Sequence, residues 1–218
     1  MIDLDKSLDE LGIDDIPPGL TSIEKQATVR DLLMSRSGVY REAAAVVVVP
    51  ELILAIGDIY GGGKVAYIFE DGDTGYVSGE QHGLIAATED QSTGIQWRNG
   101  SYQIQATGAT DIAIGTGYAN TELIISVQGP IATDYAAGLA RDYAGGEYHD
   151  WFLPSHLELH NLYLNRVAIG GFATNGYWSS SESSVDGTND AWCWFFPSGS
   201  FNTVTKFSTY RVRAVRYF

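Results

Sequence analysis

YWSSSESSVDGTNDAWCWFFPSGSFNTVTKFSTYRVRAVRYF, residues 177–218, decides how this chain is read. Large aromatics stand among Ser, Thr, Asn and Gly, and the run closes on a regular strand pattern, Arg211 to Arg216. Tyr, Trp and Phe supply contact area at low entropic cost and small polar residues supply adaptable hydrogen bonds, the composition of antibody-like paratopes. An aromatic-rich β core has the same composition, so both readings stay open. Lys206, Arg211, Arg213 and Arg216 form the main basic cluster. Alternate spacing puts several of them on one strand face, which favours solvated or structurally paired side chains over a phosphate site.

Upstream of this run, helical signals appear. Ser155 to Arg166 (SHLELHNLYLNR) follows Pro154, with Ser155 and Glu158 at capping-box spacing. Asp134 to Ala144 (DYAAGLARDYA) ends at Gly145-Gly146, and Thr121 through Val127 offers a further helix. After Gly170-Gly171 no helical period returns, so the C-terminal part should be short strands and long loops. From Val39 the pattern is β: VVVVP, ELILAIGD, KVAYIFE and GYVSG, separated by Gly-rich turns. Residues 1–38 differ. Leu4, Leu8 and Leu11, the breaker Pro17-Pro18-Gly19, and a second helix opening at Thr21 with Glu24 at capping-box spacing suggest a short helical arm, either an assembly element or a cap. The expected organisation is an arm at 1–38 and an α+β domain at 39–218.

Composition excludes several functions. The 218 residues carry 13 Lys and Arg against 27 Asp and Glu, a net charge of −14. That disfavours general nucleic-acid or anionic-membrane binding, which needs clustered cations. Cys193 is the single cysteine, so no internal disulfide or multi-thiolate metal site is available. The acidic start MIDLDKSLDELGIDDIPPGL lacks the pattern of a secretory signal. The longest apolar run, Ala43 to Ile56, is too short to span a bilayer and is broken by Pro50 and Glu51.

Chemical motifs fare poorly. GDIYGGGK (Gly57 to Lys64) lacks the glycine spacing and the Ser or Thr of a phosphate loop, so a turn between strands is expected. Asp71 to Gly75 resembles half a calcium loop, but His82 stands where a bidentate Glu should close it. His156 and His160 share a helix face, yet Glu158 is not in the metalloprotease position, and exposed polar histidines are expected. Ser198-Gly199-Ser200 is not a nucleophile elbow. Glu89-Asp90 and Glu147 with Asp150 are expected to serve as caps and turn acceptors.

HGLIAATEDQSTGIQW (82–97), DWFLPSHLELHNLY (150–163), YWSSSE (177–182) and RVRAVRYF (211–218) resemble the Lcl C-terminal type of domain, found in bacterial surface and phage-encoded proteins. The resemblance covers about residue 55 onward. It implies a C-type-lectin-like fold related to the formylglycine-generating enzyme: short twisted antiparallel strands, two or three packed helices and long loops. Between Ser183 and Tyr210 the chain further resembles variable proteins of diversity-generating retroelements. In those, AW, F, G, K and RVRAVR are fixed, matching Ala191-Trp192, Phe196, Gly199, Lys206 and Arg211 to Arg216 here. The residues between them arise from adenine-mutated asparagine codons.

That resemblance implies a ligand site built from Ser183, Ser184, Cys193, Phe195, Pro197, Ser198, Ser200, Asn202, Thr203, Val204, Thr205, Phe207, Ser208, Thr209 and Tyr210. Phe195, Phe207 and Tyr210 should share one exposed face with Ser198, Ser200 and Thr203, while Trp178, Trp192 and Phe196 should be buried scaffold. Trp194 does not fit an asparagine origin. The implied function is receptor recognition without catalysis, on a virion tail or cell surface, with a protein or other surface receptor as ligand, no cofactor, no nucleic acid, no membrane insertion, and a possible homo-oligomer. The single cysteine departs from the enzyme relatives, which need a pair. The sugar-binding triplets of calcium-dependent lectins are also missing. A structural or assembly subunit, or a non-diversified adhesin of the same fold, is the alternative.

Overall fold

The computed structural model describes residues 52–100, 105–129 and 133–218. The expected arm at 1–38 and the VVVVP strand lie outside the described residues. The architecture grows from the strand Gly176–Glu182, GYWSSSE, buried along its whole length. Such a strand must be central, and its polar side chains must find partners. The Ser179 hydroxyl donates to Trp192 O at 2.9 Å, and that of Ser181 donates to Asp111 O at 2.7 Å while accepting from His156 N at 3.0 Å. Tyr177 and Trp178, adjacent on the strand, point to opposite faces and join two separate core clusters. One holds Trp97, Ile124, Trp151 and Trp178; the other holds Phe152, Leu159, Tyr177 and Trp194.

In chain order the elements are β1 (Ile59–Tyr60), β2 (Gly63–Ile68), β3 (Gly83–Ala86), β4 (Ser92–Gln96), α1 (Gly117–Gln128), α2 (Ala136–Asp142), α3 (His156–Leu164), α4 (Arg166–Ile169), β5 (Gly176–Glu182), β6 (Asp190–Phe195), β7 (Ser200–Thr205), β8 (Thr209–Val212) and β9 (Val215–Tyr217). They build a mixed α+β unit from Ile53 to Phe218 with a four-stranded sheet ordered β1-β2-β3-β9 and a five-stranded sheet ordered β4-β8-β5-β6-β7. Only the β5–β8 contact is parallel among these pairings.

The two sheets meet where β8 runs into β9 through Arg213 and Ala214. Arg213 is fully buried and wraps Asp90: its Nη2 and Nε donate to Asp90 Oδ1 at 2.6 and 2.9 Å, and its Nη1 donates to Ala87 O at 2.9 Å. Arg211 and the Tyr177 hydroxyl donate to the other carboxylate oxygen at 3.0 and 2.9 Å. Arg216 pairs with Asp150 and Lys206 with Glu182. The four cations of the basic cluster are therefore structurally paired, one of the two outcomes, solvated or paired, that the spacing of the arginines left open.

The capping box of α3 forms as its sequence requires, Ser155 Oγ accepting from Glu158 N and Glu158 Oε2 accepting from Ser155 N at 2.7 Å. Glu158 also does something no local pattern announces. Its Oε1 accepts from Gly115 N at 2.9 Å, at the start of α1, and from the Tyr217 hydroxyl of β9 at 3.0 Å. Burial pushes this carboxyl up to about 7, against the opposing pull of its donors.

Two expected strands do not form. Around Leu54 the backbone is satisfied by the Gln81 side chain, which accepts from Leu54 N at 2.7 Å and donates to Leu54 O at 2.9 Å, so this apolar run needs no strand partner. Residues 75–79 form turns instead, with Gly75 and Gly79 at positive φ. The GDIYGGGK segment is the expected turn, a β1–β2 hairpin over Gly61 and Gly62, both at positive φ. In the half calcium loop, Asp73 accepts from the Tyr67 hydroxyl and from Glu70 N, a turn acceptor.

Candidate ligand-display site

Strands β6 and β7 pair antiparallel without interruption from Asp190↔Thr205 to Phe195↔Ser200. Strand alternation therefore sorts their side chains. Trp192 and Trp194 share one face with Thr203 and Phe201, while Cys193 and Phe195 share the other with Asn202 and Ser200.

The first face receives α3. His160 stacks on Trp194 at 4.5 Å and 7°, Phe201 lies 4.9 Å from the same indole, and Trp194 Nε1 donates to His156 O at 3.1 Å. His156 sits against Trp192 at 4.7 Å. These histidines are not the exposed polar pair that the sequence suggested: His156 is buried and His160 half-buried. Their helix face is covered by tryptophans that come more than thirty residues later. Burial, with His160 adding a smaller repulsion, pushes His156 down to about 4, and burial lowers His160 as well, so both rings are neutral near pH 7. Phe201 remains 51% exposed and Trp192 partly so.

The second face packs inward at its centre. Cys193 is fully buried in the Trp178 cluster and its thiol is pushed up to about 12 by burial, so it is corrected from a displayed residue to a core residue. Phe195 and Tyr210 meet edge to face at 5.6 Å, Tyr210 continues onto Trp178 at 5.0 Å, and both are only partly exposed, as is Val204. Ser183 is buried too. Its N–H donates to Asp190 O, and its hydroxyl accepts from Val185 N and Asp186 N, so it builds the β5–β6 loop and does not face a ligand.

The remaining positions reach solvent. Pro197 and Ser198 occupy the β6–β7 turn; Ser200, Asn202 and Thr205 lie exposed on β7. Phe207, Ser208 and Thr209 follow in the β7–β8 turn and the start of β8, and Ser184 is exposed in the β5–β6 loop. Thr203 and Ser208 are partly exposed. The expected single face is thus corrected. β7 is a sheet edge, so its displayed side chains alternate to both sides and wrap around it, and Phe195 and Tyr210 are a half-buried rim. Trp192 departs from the fully buried role expected of it, whereas Trp178 and Phe196 are buried.

Two features fix the frame beneath this surface. Gly199 has φ +67°, and a Cβ there would come 2.3 Å from the Tyr163 hydroxyl, so the turn admits only glycine without a shift. Lys206, where β7 ends, is buried against Glu182, donates to Gly187 O at 2.5 Å and lies 4.2 Å over the Trp97 ring. Glu182 in turn accepts from Thr107 N at 2.8 Å and Gly108 N at 2.9 Å. Sequence reasoning missed Phe201, Trp192 and Tyr163 as surface groups. Alternation in AWCWFF gives no hint, because both faces of that strand are apolar. Among the described residues, no cluster of three or more His, Cys, Asp or Glu side chains is placed to hold a metal ion.

The Lcl C-terminal domain family matches residues 86–216, a span that takes in β4 through β8, most of β9 and the whole site. The chain belongs to that family. No curated protein matches it. No helix among the described residues is long and apolar enough to cross a membrane.

Proposed function

We propose that this is a non-enzymatic recognition protein, a C-type-lectin-like scaffold displaying a diversified ligand site, the target protein of a diversity-generating retroelement carried on a virion tail or cell surface. The observation that carries the reading is the division of burial between residues 191 and 216. Of the frame positions, Ala191, Phe196, Lys206 and Val212 to Val215 are buried and Trp192, Gly199, Arg211 and Arg216 partly so, whereas Pro197, Ser198, Ser200, Asn202, Thr205, Phe207 and Thr209 between them are exposed. Substitution at exposed positions of this kind usually changes stability by less than about 0.5 kcal/mol, so such a frame tolerates variation. The ligand is a protein or other surface receptor, met by aromatic anchors among small polar groups.

The test is a library randomised at those seven exposed positions and selected for binding to lysozyme. The reading expects most members to melt within a few degrees of the parent and binders to emerge. A library that is largely unfolded would reject the display reading and favour an assembly subunit.

A further inference from the structure

Among the described residues strand β7 ends the five-stranded sheet, and the strand itself carries none of the usual edge protection. Natural edge strands are blunted by charges, prolines or bulges. SFNTVT (Ser200–Thr205) has no charge and no proline, and its register with β6 is unbroken. Lys206 N donates to Asn189 O at 2.8 Å. The alternation of an antiparallel ladder then turns Val204, Asn202 and Ser200 toward β6 and leaves the N–H groups of Phe201, Thr203 and Thr205, with the carbonyls of Phe201 and Thr203, directed outward. Thr205 O is taken by Ser208 N at 2.9 Å. Among the described residues no strand pairs with that edge.

We propose that this edge binds an extended segment of the partner protein by strand addition, continuing the five-stranded sheet. The inference rests on the display reading for the partner's approach. Main-chain bonds hold the segment whatever side chains are displayed, and alternate pockets then set specificity: exposed Phe201 beside Trp192 on one side, Ser200 and Asn202 on the other. Charge selects the segment. The chain carries −14 overall, the edge itself is neutral, Lys206 is neutralised by Glu182, and Asp190 stands opposite Thr205. The segment is therefore non-acidic, with a basic residue toward the Thr205 end. The same net charge disfavours a second copy of this chain as occupant.

The probe is a random heptapeptide library displayed on phage and selected on the immobilised full chain, with enriched peptides synthesised and their Kd read by fluorescence polarisation. N-methylation of alternate peptide nitrogens should weaken binding about threefold to tenfold per lost hydrogen bond in one register and leave the other unchanged. Thr203→Pro, which removes an outward N–H, should weaken the peptides similarly. If Thr203→Pro fails to fold, the N-methyl series decides alone. No enrichment, no register dependence, or equal binding by a folded Thr203→Pro protein overturns the proposal. So does a wild-type dimer in sedimentation that Thr203→Pro dissolves, since the edge then belongs to a second copy. Binders from the randomised library alongside such failures would leave the display reading standing on side-chain contacts alone.

Discussion

Glu182→Ala should be among the most damaging single changes in the protein. The substitution removes the carboxylate hydrogen-bonded to the buried Lys206 ammonium, leaving it Gly187 O, the Trp97 ring and the weaker pull of Asp186 and Asp190, and it strips Thr107 N and Gly108 N of their acceptor. Breaking a buried ion pair from one side costs about 3–5 kcal/mol, and an orphaned buried N–H adds about 1–3 kcal/mol. Because these terms overlap, roughly 4 kcal/mol is expected. Lys206→Met keeps the aliphatic stem on Trp97 and leaves Glu182 its two backbone donors, so it belongs at the low end, about 3 kcal/mol. The double variant Glu182→Gln/Lys206→Met removes both charges and retains one acceptor. Neutral replacements of buried pairs are often tolerated, which puts it at about 1–2 kcal/mol. Urea unfolding followed by tryptophan fluorescence measures all three, with Glu182→Gln alone closing the cycle. Single variants that each lose less than about 1 kcal/mol, or strictly additive losses, would refute the assignment of this pair as the anchor of the β7 end.

Three further outcomes are expected. Glu158 is raised from 4.5 to about 7, so between those pH values the unfolded chain releases a proton that the native state keeps, and the contribution of Glu158 to stability falls as pH rises. His156, lowered from 6.5 to about 4, contributes the opposite slope over nearly the same range. The Glu158 shift is worth roughly 3 kcal/mol, so Glu158→Gln should leave the His156 rise uncompensated and make stability, measured by chemical denaturation from pH 4 to 8, climb with pH more steeply than in the parent. Gly199→Ala should cost at least about 1–2 kcal/mol from the left-handed backbone alone, and Tyr163→Ala in the same chain should recover only part of the loss in thermal melts. Cys193 should resist a thiol reagent such as DTNB in the native protein and react at once in denaturant; prompt native reaction would return it to the displayed surface.

Much of the fold was legible because its signals are local. The α3 capping box needs only Ser155 and Glu158, three residues apart, and the hairpin turn needs only adjacent glycines. The alternation of Arg211 and Arg213 argued against a phosphate site but left solvated and paired side chains both open, and gave no sign of Asp90 as their shared partner. What escaped the sequence depends on contacts between distant segments. Glu158 meets Gly115 and Tyr217 only after α1, α3 and β9 assemble. His156 and His160 look polar until Trp192 and Trp194 cover them. Cys193 and Phe201 were misassigned or missed for one reason: a strand apolar on both faces does not declare which face will be core. The Leu54 segment shows the converse, an apolar run denied strand character because a glutamine side chain substitutes for a neighbouring strand.

The seam at Arg213 and Ala214 has a bearing on heredity. Each position from 191 to 210 that the display reading leaves free to vary is encoded ahead of β8 and β9 or within the first two residues of β8, and those strands close both sheets. A copying error that shifts the reading frame anywhere in that interval deletes the partners of β3, β4 and β5 together and takes Arg213 from Asp90. Such a chain has no route to this fold. On the display reading, placing the variable stretch upstream of the closing strands would make folding itself a proofreader, passing in-frame novelty and discarding truncated or frame-shifted copies before they can be assembled.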